Sequence, residues 1–176
     1  VLVSGATSQV GVFALPALLA AGYRVLALSR KARLEAGGTD ERGTNRLDWL
    51  QPSAVLGPGG GSADGSANDG QGGRLGEVGV VLSCGPVELA ARLVPACSGL
   101  RRVICISTSS VYTKQNSTDA TERSLINAIM AAENTLSLAC KERGITLVLL
   151  RPTLIYGCGL DQNVSRISRL IRRFHF

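Results

Sequence analysis

Apolar residues come along this chain in two alternating kinds of run. The first kind is short and nearly unbroken: Val1-Leu2-Val3, Tyr23-Arg24-Val25-Leu26-Ala27-Leu28, Val78-Gly79-Val80-Val81-Leu82-Ser83, Arg102-Val103-Ile104-Cys105-Ile106-Ser107 and Ile145-Thr146-Leu147-Val148-Leu149-Leu150. Each is too short for a helix and rich in Val, Ile and Leu, so each predicts a strand. Residues 45–50, with Leu47-Asp48-Trp49-Leu50, predict one more short strand and its exit. In the second kind the apolar residues spread to helical spacing. A helix is predicted after Gly11, carrying Val12-Phe13-Ala14-Leu15 and Leu18-Leu19-Ala20. Pro16 removes one of its hydrogen bonds and kinks it, and Gly22 stops it. Cys84-Gly85-Pro86 turns into a second helix over about 87–97. Asp119 and Glu122 have the spacing of an N-cap and its N3 partner. The long helix they open runs to about Arg143, with Leu125, Ala128, Ile129, Ala132 and Leu136 on one face and Gly144 at its end. A last helix over about 163–174 starts near Asn163.

Strands alternating with helices imply a parallel α/β sheet with right-handed crossovers, wound doubly in the Rossmann manner with helices on both faces. The almost wholly apolar stretch 145–150 predicts a parallel strand covered on both sides. Residues 57–73, GPGGGSADGSANDGQGG, cannot bury enough surface to offset their ordering entropy. They predict a flexible surface loop where a doubly wound fold often carries a helix. The apolar pattern resumes directly afterwards, so residues 1–176 read as one domain.

The chemistry concentrates at the start. After the first strand, Gly5, Ser8 and Gly11 take the three positions of a G-x-x-G-x-x-G spacing. A strand, a glycine turn and a helix make the phosphate-binding opening of a dinucleotide fold. Glycine permits the tight turn, and the helix N-terminus offers unpaired N–H groups and the positive end of its dipole. Serine at the middle position adds a Cβ where phosphate should approach, and also a hydroxyl. The second strand ends in Ser29-Arg30-Lys31. An NAD site would carry Asp or Glu there for the ribose 2′-hydroxyl; two cations suit a 2′-phosphate, hence NADP in preference to NAD.

Composition narrows the choice without redirecting it. The 176 residues fit one domain, and 45% hydrophobic content fits a globular core. No apolar run is long enough to span a bilayer and no leader pattern opens the chain, so no membrane association is expected. The five cysteines show no CxxC and no metal spacing; most read as small buried hydrophobes in a reducing, cytoplasmic compartment. With His175 the only histidine, neither a His-based triad nor a metal site is expected. A net charge of +6 suits an anionic ligand and is too modest to argue for nucleic acid. The partner expected is a small-molecule substrate, with the oligomeric state left open.

Four stretches together resemble the NAD-dependent epimerase/dehydratase type of short-chain dehydrogenase/reductase. They are Ser4-Gly5-Ala6-Thr7-Ser8-Gln9-Val10-Gly11, Leu47-Asp48, Ser107-Thr108-Ser109-Ser110-Val111-Tyr112, and Arg151-Pro152-Thr153-Leu154-Ile155-Tyr156-Gly157. Each is predicted at the C-terminal end of a strand, where open α/β sheets bind ligands. The resemblance implies that Gly5, Thr7, Ser8, Gln9, Val10 and Gly11 surround a pyrophosphate. Arg30 and Lys31 would meet the adenosine phosphate, and Asp48 would lie by the adenine. Ser83, Cys84 and Gly85 would line the nicotinamide ribose, and Pro152 and Ile155 would sit against the nicotinamide. Thr108 matches the family's catalytic Ser/Thr; the plainer role of such a hydroxyl is to cap a strand end.

One departure bears on chemistry. Aligned on Ala132-Glu133 of the family's Y-x-x-x-K-x-x-A-E pattern, the proton-transferring Tyr is Leu125 and its Lys is Ile129. Neither can move a proton; Tyr112 or Tyr156 could substitute. Two function classes follow: an NADP-dependent oxidoreductase or epimerase on a nucleotide sugar or related substrate, or a noncatalytic dinucleotide-binding or redox-sensing protein. Arg166, Arg169, Arg172 and Arg173 form a basic face on the last helix, opposite Val164, Ile167, Leu170 and Ile171.

Overall fold

The computed structural model describes residues 1–30, 46–56, 75–157, 159, 161 and 164–174. The first half contains β1 (Leu2–Ser4), α1 (Gly11–Ala20), β2 (Val25–Leu28), β3 (Leu47–Leu50) and α2 (Pro52–Leu56). The second contains β4 (Val80–Ser83), α3 (Val87–Ala96), β5 (Arg102–Ile106), α4 (Ser110–Thr113), α5 (Ala120–Glu142), β6 (Thr146–Leu150) and α6 (Val164–Phe174). All six strands are parallel, in the order β3-β2-β1-β4-β5-β6. This is the Rossmann-type doubly wound sheet. The strand order reverses between β1 and β4, so a crevice opens beyond the C-terminal ends of these two strands.

Alternation along each strand divides the core between the two faces. On one face Leu2, Val81, Val103 and Cys105 pack with Ala90, Leu93 and Val94 of α3 and Ala132, Leu136 and Cys140 of α5. On the other, Val3, Val25 and Ala27 pack with Leu15 of α1. The Arg143 guanidinium at the end of α5 donates to the carbonyls of Val94, Cys97 and Ser98, tying together the C-terminal ends of α3 and α5.

Several expectations need correcting. The α5 core seam is Ile126, Ala132, Glu133, Leu136 and Cys140, while Leu125 and Ala128 face solvent. Asp119 does cap α5, its Oδ1 accepting from Thr121 N (2.8 Å) and Glu122 N (3.3 Å). The reciprocal half of the capping box is absent, because the Glu122 carboxylate is taken by Lys114 Nζ at 2.6 Å. β6 is covered on one side only: Val148 and Leu150 are 39% and 48% exposed. α1 continues through Pro16 to Ala20. The short helices α2 and α4 carry no periodic signal in the sequence. Lys31, residues 57–73, Cys158, Asn163 and His175 lie outside the described residues.

Candidate functional site

The turn from β1 into α1 sits at the reversal point, and its two glycines are sterically required. Gly5 has φ +65°, and a Cβ there would come within 2.6 Å of Gly85 N and 2.7 Å of the Cys84 carbonyl carbon. A Cβ on Gly11 would collide with the carbonyl oxygens of Gly5 and Ala6. The β1 turn, the β4 exit and the first turn of α1 therefore meet backbone to backbone, which only glycine allows. Ser8 N donates to Gly5 O (2.8 Å), and Ser8 Oγ accepts from Gly11 N (3.1 Å). The serine at the middle position thus occupies one of the N–H groups that a phosphate could use.

Other donors remain at this helix end. Among the described residues, no acceptor is bonded to the backbone N–H of Gln9 or Val10, and α1 has no acid in its first turn. The Gln9 side-chain Nε2 is buried without a hydrogen-bond partner. Orphaned donors beside a positive helix end fit a pyrophosphate group. Thr7 Oγ1 and Ser29 Oγ lie 3.0 Å apart and tie this turn to the end of β2. Arg30 follows directly, exposed. The residues present therefore fit the pyrophosphate of a dinucleotide.

The β4 side is divided. Cys84 and Gly85 are half-buried beside Gly5. Burial pushes the Cys84 thiol up to about 11, so it stays protonated at neutral pH. Ser83 is wholly buried and accepts from Ser4 Oγ at 2.9 Å, so it cannot line a ribose. Asp48 is also corrected. It lies inside β3, opposite Leu26, two residues short of the strand end, and its carboxylate is 3.9 Å from Arg24 Nη2.

At the other side of the crevice the loops after β5 and β6 are stitched together. Ser107 N donates to Leu150 O (2.8 Å) and Ser109 N to Pro152 O (3.1 Å). This brings Thr108 and Pro152 to one place. Thr108 Oγ1 accepts from Ser110 N at 3.2 Å, which is the capping role, and its O–H is still available to donate. Ile155 is half-buried and Tyr156 exposed. Leu125 is 60% exposed, and Ile129, one turn on, packs partly against the core. Tyr112 is on the opposite flank of α5, in a groove of about 290 Å³ with Met130, Asn134, Ser137 and Arg151. Its hydroxyl accepts from Arg151 Nη1 at 2.7 Å, and the guanidinium carbon lies 5.2 Å from its ring centroid.

Sequence reasoning missed the group that holds Arg151. Glu133 receives it as a fork, Nε to Oε1 at 3.1 Å and Nη2 to Oε2 at 2.6 Å. The two side chains are only 9% and 28% exposed. Burial pushes the Glu133 carboxyl up, but the hydrogen bonds of Arg151, the nearby Ser107 hydroxyl and the Arg151 charge outweigh it and leave the carboxyl below its usual range. Both residues stand in the quoted motifs; only the fold brings them together. Among the described residues, no group of three or more His, Cys, Asp or Glu could hold a metal ion, and no helix is long and apolar enough to cross a membrane.

A glycine turn at the reversal point of a doubly wound parallel sheet defines a dinucleotide-fold protein. The NAD dependent epimerase/dehydratase family matches residues 1–176, and the chain belongs to it. No curated protein matches the sequence significantly. Similar solved structures include the UDP-N-acetylglucosamine 4-epimerase from Bacillus cereus (16% identity, TM-score 0.63, 98% of this chain, 59% of that one). The Bordetella bronchiseptica enzyme WbmH in complex with NAD+ is another (15%, 0.63, 98% and 62%). MoeE5 in complex with UDP-glucose and NAD is a third (23%, 0.61, 97% and 59%). The chain spans about three-fifths of the length of these structures.

Proposed function

We propose that this chain is an NADP(H)-binding domain of the epimerase/dehydratase type. The observation that carries the reading is the β1–α1 turn. Two sterically required glycines set the turn, and at the start of α1 the N–H groups of Gln9 and Val10 and the buried Gln9 amide have no partner among the described residues. In this reading Thr7, Ser8 and Gly11 frame the pyrophosphate, and Ser29 and Arg30 take the adenosine end. Cys84 and Gly85 border the nicotinamide ribose, and Pro152 and Ile155 shape the ring pocket. Arg30, with Lys31 after it and no acid in its place, favours a 2′-phosphate. The cofactor, when bound, supplies or accepts hydride. Thr108 orients a substrate oxygen through its free O–H. The substrate class is a nucleotide sugar or a related carbonyl or alcohol, as in the relatives named above, and the reaction is an oxidation–reduction or an epimerisation built on one.

A second reading is favoured by one observation. Leu125 and Ile129 occupy the positions where the family moves a proton. General acid–base catalysis contributes roughly 10²–10⁴-fold, so a site relying on Thr108 alone is slow. The protein then acts by binding, as a dinucleotide-dependent regulator or redox sensor. Assay of the complete protein with NADPH and a panel of carbonyl substrates separates the two. The poor-catalyst reading predicts binding with turnover far below ordinary reductase rates. Ordinary rates that survive both Tyr112→Phe and Tyr156→Phe would contradict it.

A further inference from the structure

Among the described residues, the side chains of Glu133, Arg151 and Tyr112 bond to one another and to no side chain assigned above to the cofactor, yet together they reach every segment that frames the ring pocket. Glu133 lies on the buried seam of α5, at the centre of the helix. Arg151 is the residue before Pro152, whose carbonyl receives Ser109 N. Tyr112 belongs to α4, whose first N–H, that of Ser110, donates to Thr108 Oγ1. A single guanidinium therefore joins the helix, the β5 loop and the β6 loop. It uses a two-bond fork to Glu133, one bond to the Tyr112 hydroxyl and a cation–π approach to the Tyr112 ring. A forked guanidinium–carboxylate pair fixes direction as well as distance, and a lysine could not reproduce it. The adenosine end of the crevice, at Ser29 and Arg30, lies at the end of β2, on the other side of β1 from β5 and β6.

We propose that Glu133, Arg151 and Tyr112 are positioning residues. They form a brace that sets the separation of Thr108 and Pro152, and so shapes the nicotinamide half of the site without affecting the adenosine half. This rests on the cofactor reading above. It also gives Tyr112 a role, as the acceptor of Arg151 Nη1 on the flank of α5 away from Leu125.

The test pairs two ligands that differ only in the ring. NADPH or NADH, whichever the wild-type chain binds more tightly, is titrated alongside the matching fragment without nicotinamide, 2′-phospho-ADP-ribose or ADP-ribose. Glu133→Gln keeps the shape and removes the charge; Tyr112→Phe keeps the ring and removes the acceptor. Misplacing a group by about 1 Å can cost a reaction about 10²-fold in rate, and a smaller shift of a binding wall should lower affinity for the group it faces by about tenfold. The expected result is that Glu133→Gln weakens the intact cofactor by about that factor and Tyr112→Phe by less. Affinity for the fragment should hold, and the fluorescence of the bound reduced nicotinamide should fall. Should Glu133→Gln lower stability, Tyr112→Phe provides the same comparison in a folded protein, verified by its melting curve. Equal weakening of cofactor and fragment, or no change in either for both variants, would overturn the brace. A wild-type chain that binds neither ligand would overturn the cofactor reading, and the brace with it.

Discussion

Gly11 carries no side chain because the carbonyl oxygens of Gly5 and Ala6 fill the space where one would go. Gly11→Ala should destabilise the protein by roughly 1–3 kcal/mol, the usual cost of forcing a group into filled space, as read from denaturant unfolding. It should also weaken dinucleotide binding. Ser8 behaves differently. Its hydroxyl caps Gly11 N, so Ser8→Gly frees one donor for a phosphate and removes a Cβ from its path. Stability should change by only a few tenths of a kcal/mol. Affinity for NADP(H) should rise about tenfold or more, because an N–H donated to an anionic phosphate is a charge-assisted bond of about 1.5–3 kcal/mol. Unchanged or weaker binding would mean that phosphate does not reach this helix end. Residues of this kind were legible in the sequence because glycine spacing reflects a steric need. Ser83 and Asp48 were not, since a shift of one residue along a strand turns a side chain to the other face and a shift of two draws it about 7 Å back from the strand end.

α5 shows how far periodicity reaches. The helix, its Asp119 cap and its end were legible, being long and apolar at helical spacing. Its rotation was not: the wide apolar arc of this sequence includes Leu125, which the fold leaves exposed, and excludes Glu133, which the fold buries against Arg151. α2 and α4, of five and four residues, are too short for any period to register. The exposed position of Leu125 makes a gain-of-function test practical. Leu125→Tyr with Ile129→Lys restores a Tyr and Lys one helical turn apart. The half-buried Ile129 site accepts a lysine whose stem packs and whose ammonium reaches water. If the missing dyad is what limits catalysis, NADPH turnover with a substrate of this family should rise by about 10²-fold or more. An unchanged rate, with cofactor still bound, would place the deficit elsewhere.

For the molecule as a whole, strand–helix alternation was enough to read a parallel doubly wound sheet, because each apolar run must bury its faces against the next element. Strand order and the open side of β6 came only with the fold. The same burial gives a pH dependence. Desolvation raises the thiols of Cys84, Cys97 and Cys105 each to about 11. A thiol whose folded pKa lies above its unfolded one stabilises the fold fully below the unfolded value and stops doing so as pH climbs through the folded value. The denaturation midpoint should therefore fall between about pH 9 and 11. Replacing Cys97 and Cys105 with alanine should flatten that fall, although the starting stability will be lower. Titration calorimetry with NADPH and NADH asks whether the β1–α1 turn and Arg30 form the NADP(H) site proposed above. NADPH should bind more tightly than NADH. Arg30→Asp should cost NADPH roughly 1.5–3 kcal/mol, the scale of a charge-assisted bond, while leaving NADH nearly unchanged. Equal affinities for the two cofactors, unmoved by Arg30→Asp, or no binding of either, would contradict that proposal.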